Sequence, residues 1–387
     1  MKKILLLALF SPLSLFAAMD FSMFDDFQGK WTREEIERRL GFYLQKDTQI
    51  SSYLSLTNEA LILYDAAEID KQRKIEYHLK LAQEKKQDSL KNAPLQKNLV
   101  GVKIAIDPGH LGGPYARLEE RYIDIPPSLE RKSPIKFDEG TLSFLTGTYL
   151  KLLLEKEGAI VMLTRDQIGK GVYFEDFFGW LKKKPNLWFG ELSLNTIFRK
   201  YYNPLDLHAR AQLINAFKPD LTIVIHYNSH HVEEEQSSNH CVCSKNYNMV
   251  FIPGAFCRNE IVEQVNRYEF LRLLVTEDLP LSYKLSHHIL SEFEKHLQIP
   301  VVSKSDGARY LESACIKVEE GLFARNLALT RMIHGPICYG ETLIQNNIDE
   351  CINLSREDFI IHGLPCSSRI KQVAEAYYEG IKNYLTH

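Results

Sequence analysis

Three short apolar runs in the middle of the chain are Val102-Lys-Ile-Ala-Ile106, Ala159-Ile-Val-Met-Leu163 and Leu221-Thr-Ile-Val-Ile225, and each stops abruptly at polar residues. The first stops at Asp107-Pro-Gly-His110, the second at Thr164-Arg165 and the third at His226. Behind Glu139, Leu142, Leu145, Tyr149, Leu152 and Leu153 recur at helical spacing, and Gly158 ends that stretch. A second helical stretch, Leu207 to Phe217, precedes a Lys218-Pro-Asp turn. Strand, helix, strand, helix, strand predicts an α/β fold: a mostly parallel or mixed twisted sheet with helices over both faces. Ligands of such sheets bind beyond the carboxyl ends of the strands, which is where these polar residues fall. Asn248 to Ile252 reads as another strand, residues 260–296 as largely helical, and Pro336-Ile-Cys-Tyr-Gly as a short strand that delivers Glu341. The last helix carries Ile370, Val373, Ala374, Tyr377, Ile381, Tyr384 and Leu385 on one face.

Ahead of this region the texture differs. Lys2 and Lys3 precede an apolar run from Ile4 to Phe16 with Ala17 and Ala18 behind it, the pattern of a cleaved signal peptide over 1–18. That run is too short to cross a bilayer, and no later segment has the length of a membrane span. Residues 19–98 read as a small α+β accessory region and linker. Thr32 with Glu35 forms a capping box there, and Lys74–Lys85 is either strand or helix. Residues 99–387 form the main domain, with insertions near 166–205 and 230–247. The formal charge of -3 offers no field for nucleic acid. Export permits disulfides, but the seven cysteines show no repeating spacing, and Cys241-Val-Cys243 beside His240 is a poor zinc clamp.

His110, Glu139, His226 and Glu341 all sit where rigid elements meet loops, so their side chains can converge without ordering a long loop. Two imidazoles and one carboxylate are an ordinary catalytic zinc set with one coordination place left for water. A further carboxylate off the metal would accept the water proton and pass it to a leaving nitrogen.

Val102-Lys-Ile-Ala-Ile-Asp-Pro-Gly-His-Leu-Gly-Gly113 strongly resembles the opening of the zinc-dependent N-acetylmuramoyl-L-alanine amidases, the AmiC-like cell-wall enzymes. The resemblance continues in order. Glu139 heads a helix, and Gly158 to Arg165 looks like the family's strand ending in Thr-Arg. Leu207-His-Ala-Arg210 with Ile214-Asn215 is similar to its Arg-Asn helix, Ile225-His-Tyr-Asn228 to its histidine strand, and Glu341 with Asn347 to its final Glu-Asn segment. It covers about residues 101–387 and leaves 19–98 uncovered. Carried over, it makes His110, Glu139 and His226 the ligands of one Zn2+ per chain and Glu341 the general base. The implied reaction is hydrolysis of the amide bond between N-acetylmuramic acid and L-alanine of the peptidoglycan stem peptide. The implied location is the periplasm or cell envelope.

The chain departs from the family at three places. Leu111 and Leu343 stand where the family has glycine, and Val224 where it has serine. Asp107 is read either as an acceptor for a zinc histidine or as an Asx turn with Pro108, and Asn228 as a substrate donor or a loop brace. Arg165 and Arg210 are expected to bind carbonyls or a carboxylate inside the fold.

The aromatic-rich stretch 172–202 reads first as packing. It or residues 260–296 is also read as a blocking helix that an activator protein removes. Two other functions fit the same residues: a zinc peptidase cutting within the stem peptide, and a non-catalytic wall-binding protein.

Overall fold

A computed structural model of the chain describes residues 19–84, 98–128, 131–230, 239–303 and 308–386. The signal-peptide segment lies outside them, as do most of the linker and residues 231–238 of the second insertion.

The N-terminal region is an antiparallel three-stranded sheet, β1 (Leu54–Leu56), β2 (Ala60–Tyr64) and β3 (Ile75–Lys80), with short helices before it. The ambiguous stretch near Lys74 is strand: Tyr77 and Leu79 point inward and His78 and Lys80 outward, the period of two that a half-buried strand requires. Thr32 and Glu35 do form the capping box at the start of Arg33–Arg39. This region shares one continuous apolar core with the main domain, Phe24, Ile36, Leu44 and Leu79 joining Phe270, Leu274 and Phe293. Two ion pairs cross the same contact, Arg39 with Glu277 at 2.6 Å and Arg267 with Glu76 at 2.5 Å, both arginines buried.

The main domain is built on β4 (Lys103–Pro108), the hairpin β5 (Tyr122–Ile125) and β6 (Ile135–Asp138), β7 (Ile160–Leu163), β8 (Leu221–Asn228), β9 (Met249–Ile252), β10 (Cys315–Glu319), β11 (Leu322–Arg325) and β12 (Ile337–Ile344). Seven of these make one mixed sheet in the order β10-β11-β9-β12-β8-β4-β7. The four strands β12, β8, β4 and β7 run parallel, whereas β9 is antiparallel to β12. Nearly every residue of β4 and β8 is buried, as expected of strands covered on both faces. Helices Glu139–Lys156, Asp278–Leu297 and Ser368–Thr386 pack on one face. Helices Asn203–Phe217 and Ala328–Met332 cover the other through Ala211, Ile214, Leu329 and Ile333, which meet Ala105 and Val224. Val224, the departure from serine, is therefore an ordinary core residue under that second layer. The parallel strands β4, β8 and β12 end side by side, and there the chain delivers His110, His226 and Glu341.

The aromatic stretch folds as short helices, among them Phe177–Lys182 and Phe198–Tyr202, and Phe177, Trp180, Phe198 and Tyr202 from these form a cluster of their own. Leu111 and Tyr115 from the loop after β4 complete that cluster. The unexpected leucine after His110 is thus only 2% exposed and anchors the insertion to the loop that carries the histidine.

Candidate metal centre

The loop after β4 is held from several sides. Gly109 donates its N–H to the Ile225 carbonyl at 2.8 Å, tying the loop to the neighbouring strand. His110 follows in the left-handed region at φ 56°, an uncommon conformation for a side-chain-bearing residue and one characteristic of functional turns. Two buried arginines hold the loop's carbonyls. Arg210 donates to Pro108 O at 2.8 Å and Arg165 to the carbonyls of Pro108, Gly109 and Leu111 at 3.2–3.3 Å. Arg210 is balanced by Asp206 at 2.7 Å and Asp107 at 3.4 Å, and Asp107 also accepts from Thr164 Oγ1. Burial opposes the charge on Arg210, but Asp107 and Asp206 outweigh it and keep the guanidinium protonated. Asp107 therefore contacts this arginine network, and the carboxylate beside His110 is a different one.

That carboxylate is Glu119, at the end of the short helix Ala116–Glu119. It accepts the N–H groups of Leu111 and Gly112 at 2.9–3.0 Å, and its Oε1 lies 3.4 Å from His110 Nδ1. A carboxylate on the far nitrogen of a histidine fixes the tautomer and aims the other nitrogen. No sequence signal singles out Glu119 in the long gap between His110 and Glu139.

Glu139 opens the helix Glu139–Lys156, which Asp138 caps by accepting Thr141 N–H at 2.8 Å. Its Oε1 lies 3.3 Å from His110 Nε2 and 2.8 Å from His226 Nδ1. Its Oε2 accepts from Gln345 Nε2 at 3.2 Å, with Arg121 Nε at 3.6 Å. Burial alone would raise this carboxyl, but the two imidazoles, His110 foremost, bring it well below the ordinary carboxylate range. His226 sits near the end of β8, its ring stacked on Tyr339 at 4.6 Å and 9°. Burial, more than any neighbour, pushes its pKa down, which favours the neutral imidazole that binds metals.

One nitrogen or oxygen from each of His110, Glu139 and His226 falls within 4.8 Å of the others, the one such cluster among the described residues. Nitrogen and oxygen ligands sit about 2.0–2.2 Å from zinc, so atoms this close can share one ion with little movement.

Glu341 lies beside the cluster. It is the in-register partner of His226 across the β12–β8 ladder, and paired residues point to the same side. Burial first, then the charge of Glu139, pushes its carboxyl up to about 8; a divalent cation in the cluster acts in the opposite direction. Its carboxylate accepts no hydrogen bond from any described residue. Beyond it Leu343, in the family's glycine position, has φ 58° at a bulge in the ladder and is fully buried. The strain is offset there by burial and by the bond from Leu343 N–H to Asn248 Oδ1 at 3.1 Å. Asn228, at the end of β8, accepts Ser229 N–H on its side-chain oxygen at 2.8 Å. A cavity of about 140 Å³ adjoins the cluster, lined by His110, His226, Tyr339, Asn203, Leu207 and Leu329.

A family profile described as N-acetylmuramoyl-L-alanine amidase matches residues 104–383. No curated protein sequence gives a match. Among solved structures, the CwlD amidase from Clostridioides difficile, in complex with the GerS lipoprotein, overlaps 74% of this chain and 99% of its own at 18% identity, TM-score 0.41. Ami1 from Mycobacterium abscessus covers 74% and 99% at 14% identity and TM-score 0.40. AmiC2 of Nostoc punctiforme covers 74% and 98% at 17% and 0.37. These overlaps are loose.

Proposed function

The chain belongs to the N-acetylmuramoyl-L-alanine amidase family, hydrolases of the amide bond between N-acetylmuramic acid and L-alanine in peptidoglycan, and we propose that His110, Glu139 and His226 hold one zinc ion here while Glu341 is the general base. The observation that carries the assignment is the convergence of three far-apart side chains on one point at the strand ends.

When bound, the ion activates water and polarises the scissile carbonyl as a Lewis acid. The chain's own groups do the rest. Glu119 and the carbonyl-holding arginines fix His110; Tyr339 fixes the plane of His226; Gln345 and Arg121 occupy the outer oxygen of Glu139, leaving its inner oxygen toward the two histidines. Glu341, uncommitted and next to His226, takes the proton of the attacking water and returns it to the alanine nitrogen as the bond breaks. Its buried setting suits a group that must both accept and release a proton near neutral pH. Peptidoglycan is the partner this chemistry requires. An envelope location fits that substrate, and no helix among the described residues is long and apolar enough to cross a membrane.

The test joins metal analysis to product analysis. Glu341→Gln (E341Q) is expected to retain zinc and lose about 10²- to 10⁴-fold in kcat, and mass spectrometry of wild-type digests should show lactyl carboxylates beside intact stem peptides. Full turnover in the variant would remove Glu341 from the mechanism. Cuts within the peptide would favour the peptidase reading.

A further inference from the structure

On the sheet, Tyr339 of β12 pairs with Phe251 of β9, and Phe251 pairs with Phe323 of β11. Paired residues share a face, and so do residues two apart along a strand. Glu341, two on from Tyr339, and Arg325, two on from Phe323, therefore lie on one face, the face that carries His226. Because β11 runs opposite to β12, Arg325 starts further from the strand ends than Glu341. The aromatic side chains between them form a floor. The Arg325 guanidinium lies over the rings of Phe251 at 5.1 Å and Tyr310 at 4.4 Å. Its charge reaches Glu341 and opposes the upward push of burial there, yet the two make no direct ion pair. Among the described residues the guanidinium has neither an ion pair nor a hydrogen bond, and the residue is only partly buried. A planar cation held on its faces by aromatic rings, with its N–H edge uncommitted, is pre-organised for two-point binding of a carboxylate.

We propose that Arg325 binds the carboxylate carried by the second residue of the stem peptide and so makes the enzyme prefer substrates in which that group is a free acid. The inference rests on the function proposed above. Glu341 returns a proton to the alanine nitrogen, so the peptide half of the substrate departs from beside Glu341. The next charge along that peptide is then the one the neighbouring guanidinium meets. Arg325 is in this sense a specificity residue, and the uncommitted N–H edge is its recognition element.

The experiment compares two soluble muramoyl peptides, identical except for a free carboxyl or a carboxamide at the second residue, using the zinc-loaded full chain. Wild type is expected to favour the acid by about 10- to 100-fold in kcat/KM, the discrimination a site built for a polar group achieves. Arg325→Met should bring that ratio close to one, mainly through a higher KM for the acid, while any shift of the kcat pH profile from losing the charge near Glu341 is the same on both substrates. Arg325→Lys should keep part of the preference, since an ammonium retains the charge but not the flat fork. Calorimetry of the metal-free chain with the released peptides gives a second readout, in which the acid binds more tightly than the amide. Equal wild-type kcat/KM on both substrates overturns the assignment and leaves the amidase reading standing. An equal loss on both substrates in Arg325→Met, with a displaced pH profile, also overturns it, because Arg325 would then act only through Glu341. Failure of wild type to cut either substrate at the muramoyl–alanine bond would instead sink the function itself.

Discussion

Adding one methyl group at Gly109 offers a direct test of how tightly this centre is built. A Cβ on that residue would fall 2.3 Å from both Cε1 and Nε2 of His226 and 2.6 Å from Nδ1, where ordinary contact begins at 3.4 Å. Something must shift by about 1 Å, and neither side has room to do so freely. The Gly109 backbone is pinned by its bond to Ile225 and by the arginines on the adjoining carbonyls. His226 is sandwiched between that backbone and Tyr339, with Glu139 on its Nδ1 at 2.8 Å. Overpacking of this kind costs about 1–3 kcal/mol in stability, which a chain of this size survives. The metal site should suffer more. Loss of an outer partner of a metal histidine weakens binding about 10- to 100-fold, and displacing the ring itself should do at least as much. We expect Gly109→Ala to fold, to unfold at a modestly lower temperature, and to lose zinc to a chelator at a concentration the wild type resists. Competition titration with a chromophoric chelator reads the affinity directly. Wild-type affinity in a folded Gly109→Ala chain would refute the reasoning, since it would mean that His226 is not held where the metal needs it.

Two further outcomes follow from the surroundings of the site. Glu119→Gln keeps the shape and most hydrogen-bond acceptors but removes the charge beside His110 Nδ1; zinc affinity should fall about 10- to 100-fold with little change in thermal midpoint, and unchanged affinity in a competition titration would make Glu119 a loop anchor only. Burial would raise the Asp206 carboxyl, but Arg210 and the N–H groups of Tyr173 and Val172 hold it below the ordinary aspartate value. The stabilisation it contributes is therefore fully present above the unfolded-state pKa of about 3.9 and lost as pH falls through the lower folded value. Asp206→Asn removes one of the two carboxylates that balance Arg210 and should cost about 1–3 kcal/mol at neutral pH, a gap that denaturant titrations should see narrow toward acid; a gap constant from neutral pH down to strong acid would contradict the linkage.

The insertion illustrates how a departure in sequence acquires meaning in three dimensions. Glycine at position 111 would leave the loop after β4 with no side chain to bury; Leu111 gives it one, and the aromatic cluster of the insertion closes around it together with Tyr115. Phe177 and Tyr202 therefore stabilise the element that carries Glu119 and His110, the packing role in which the aromatic stretch reads first.

Local order in the chain made the α/β sheet, its strand ends and the polar residues at those ends legible. Apolar runs of two-face burial, helical periodicity behind Glu139 and the Asp-Pro-Gly-His turn are all properties of neighbours along the chain. The capping box at Thr32 was legible for the same reason. What the sequence did not contain was any interaction between distant segments. That Gln345 steadies Glu139 and that Arg325 lies on the same floor as Glu341 are consequences of strand order and register, and that Glu119 rather than Asp107 faces His110 is decided by how the segment after β4 folds back on itself. The accessory region's seat against helix Gln264–Val275 is of the same kind, because its apolar residues read alike whether they close a separate core or join a shared one. Periodicity says which face of an element is buried; only the folded chain says against what.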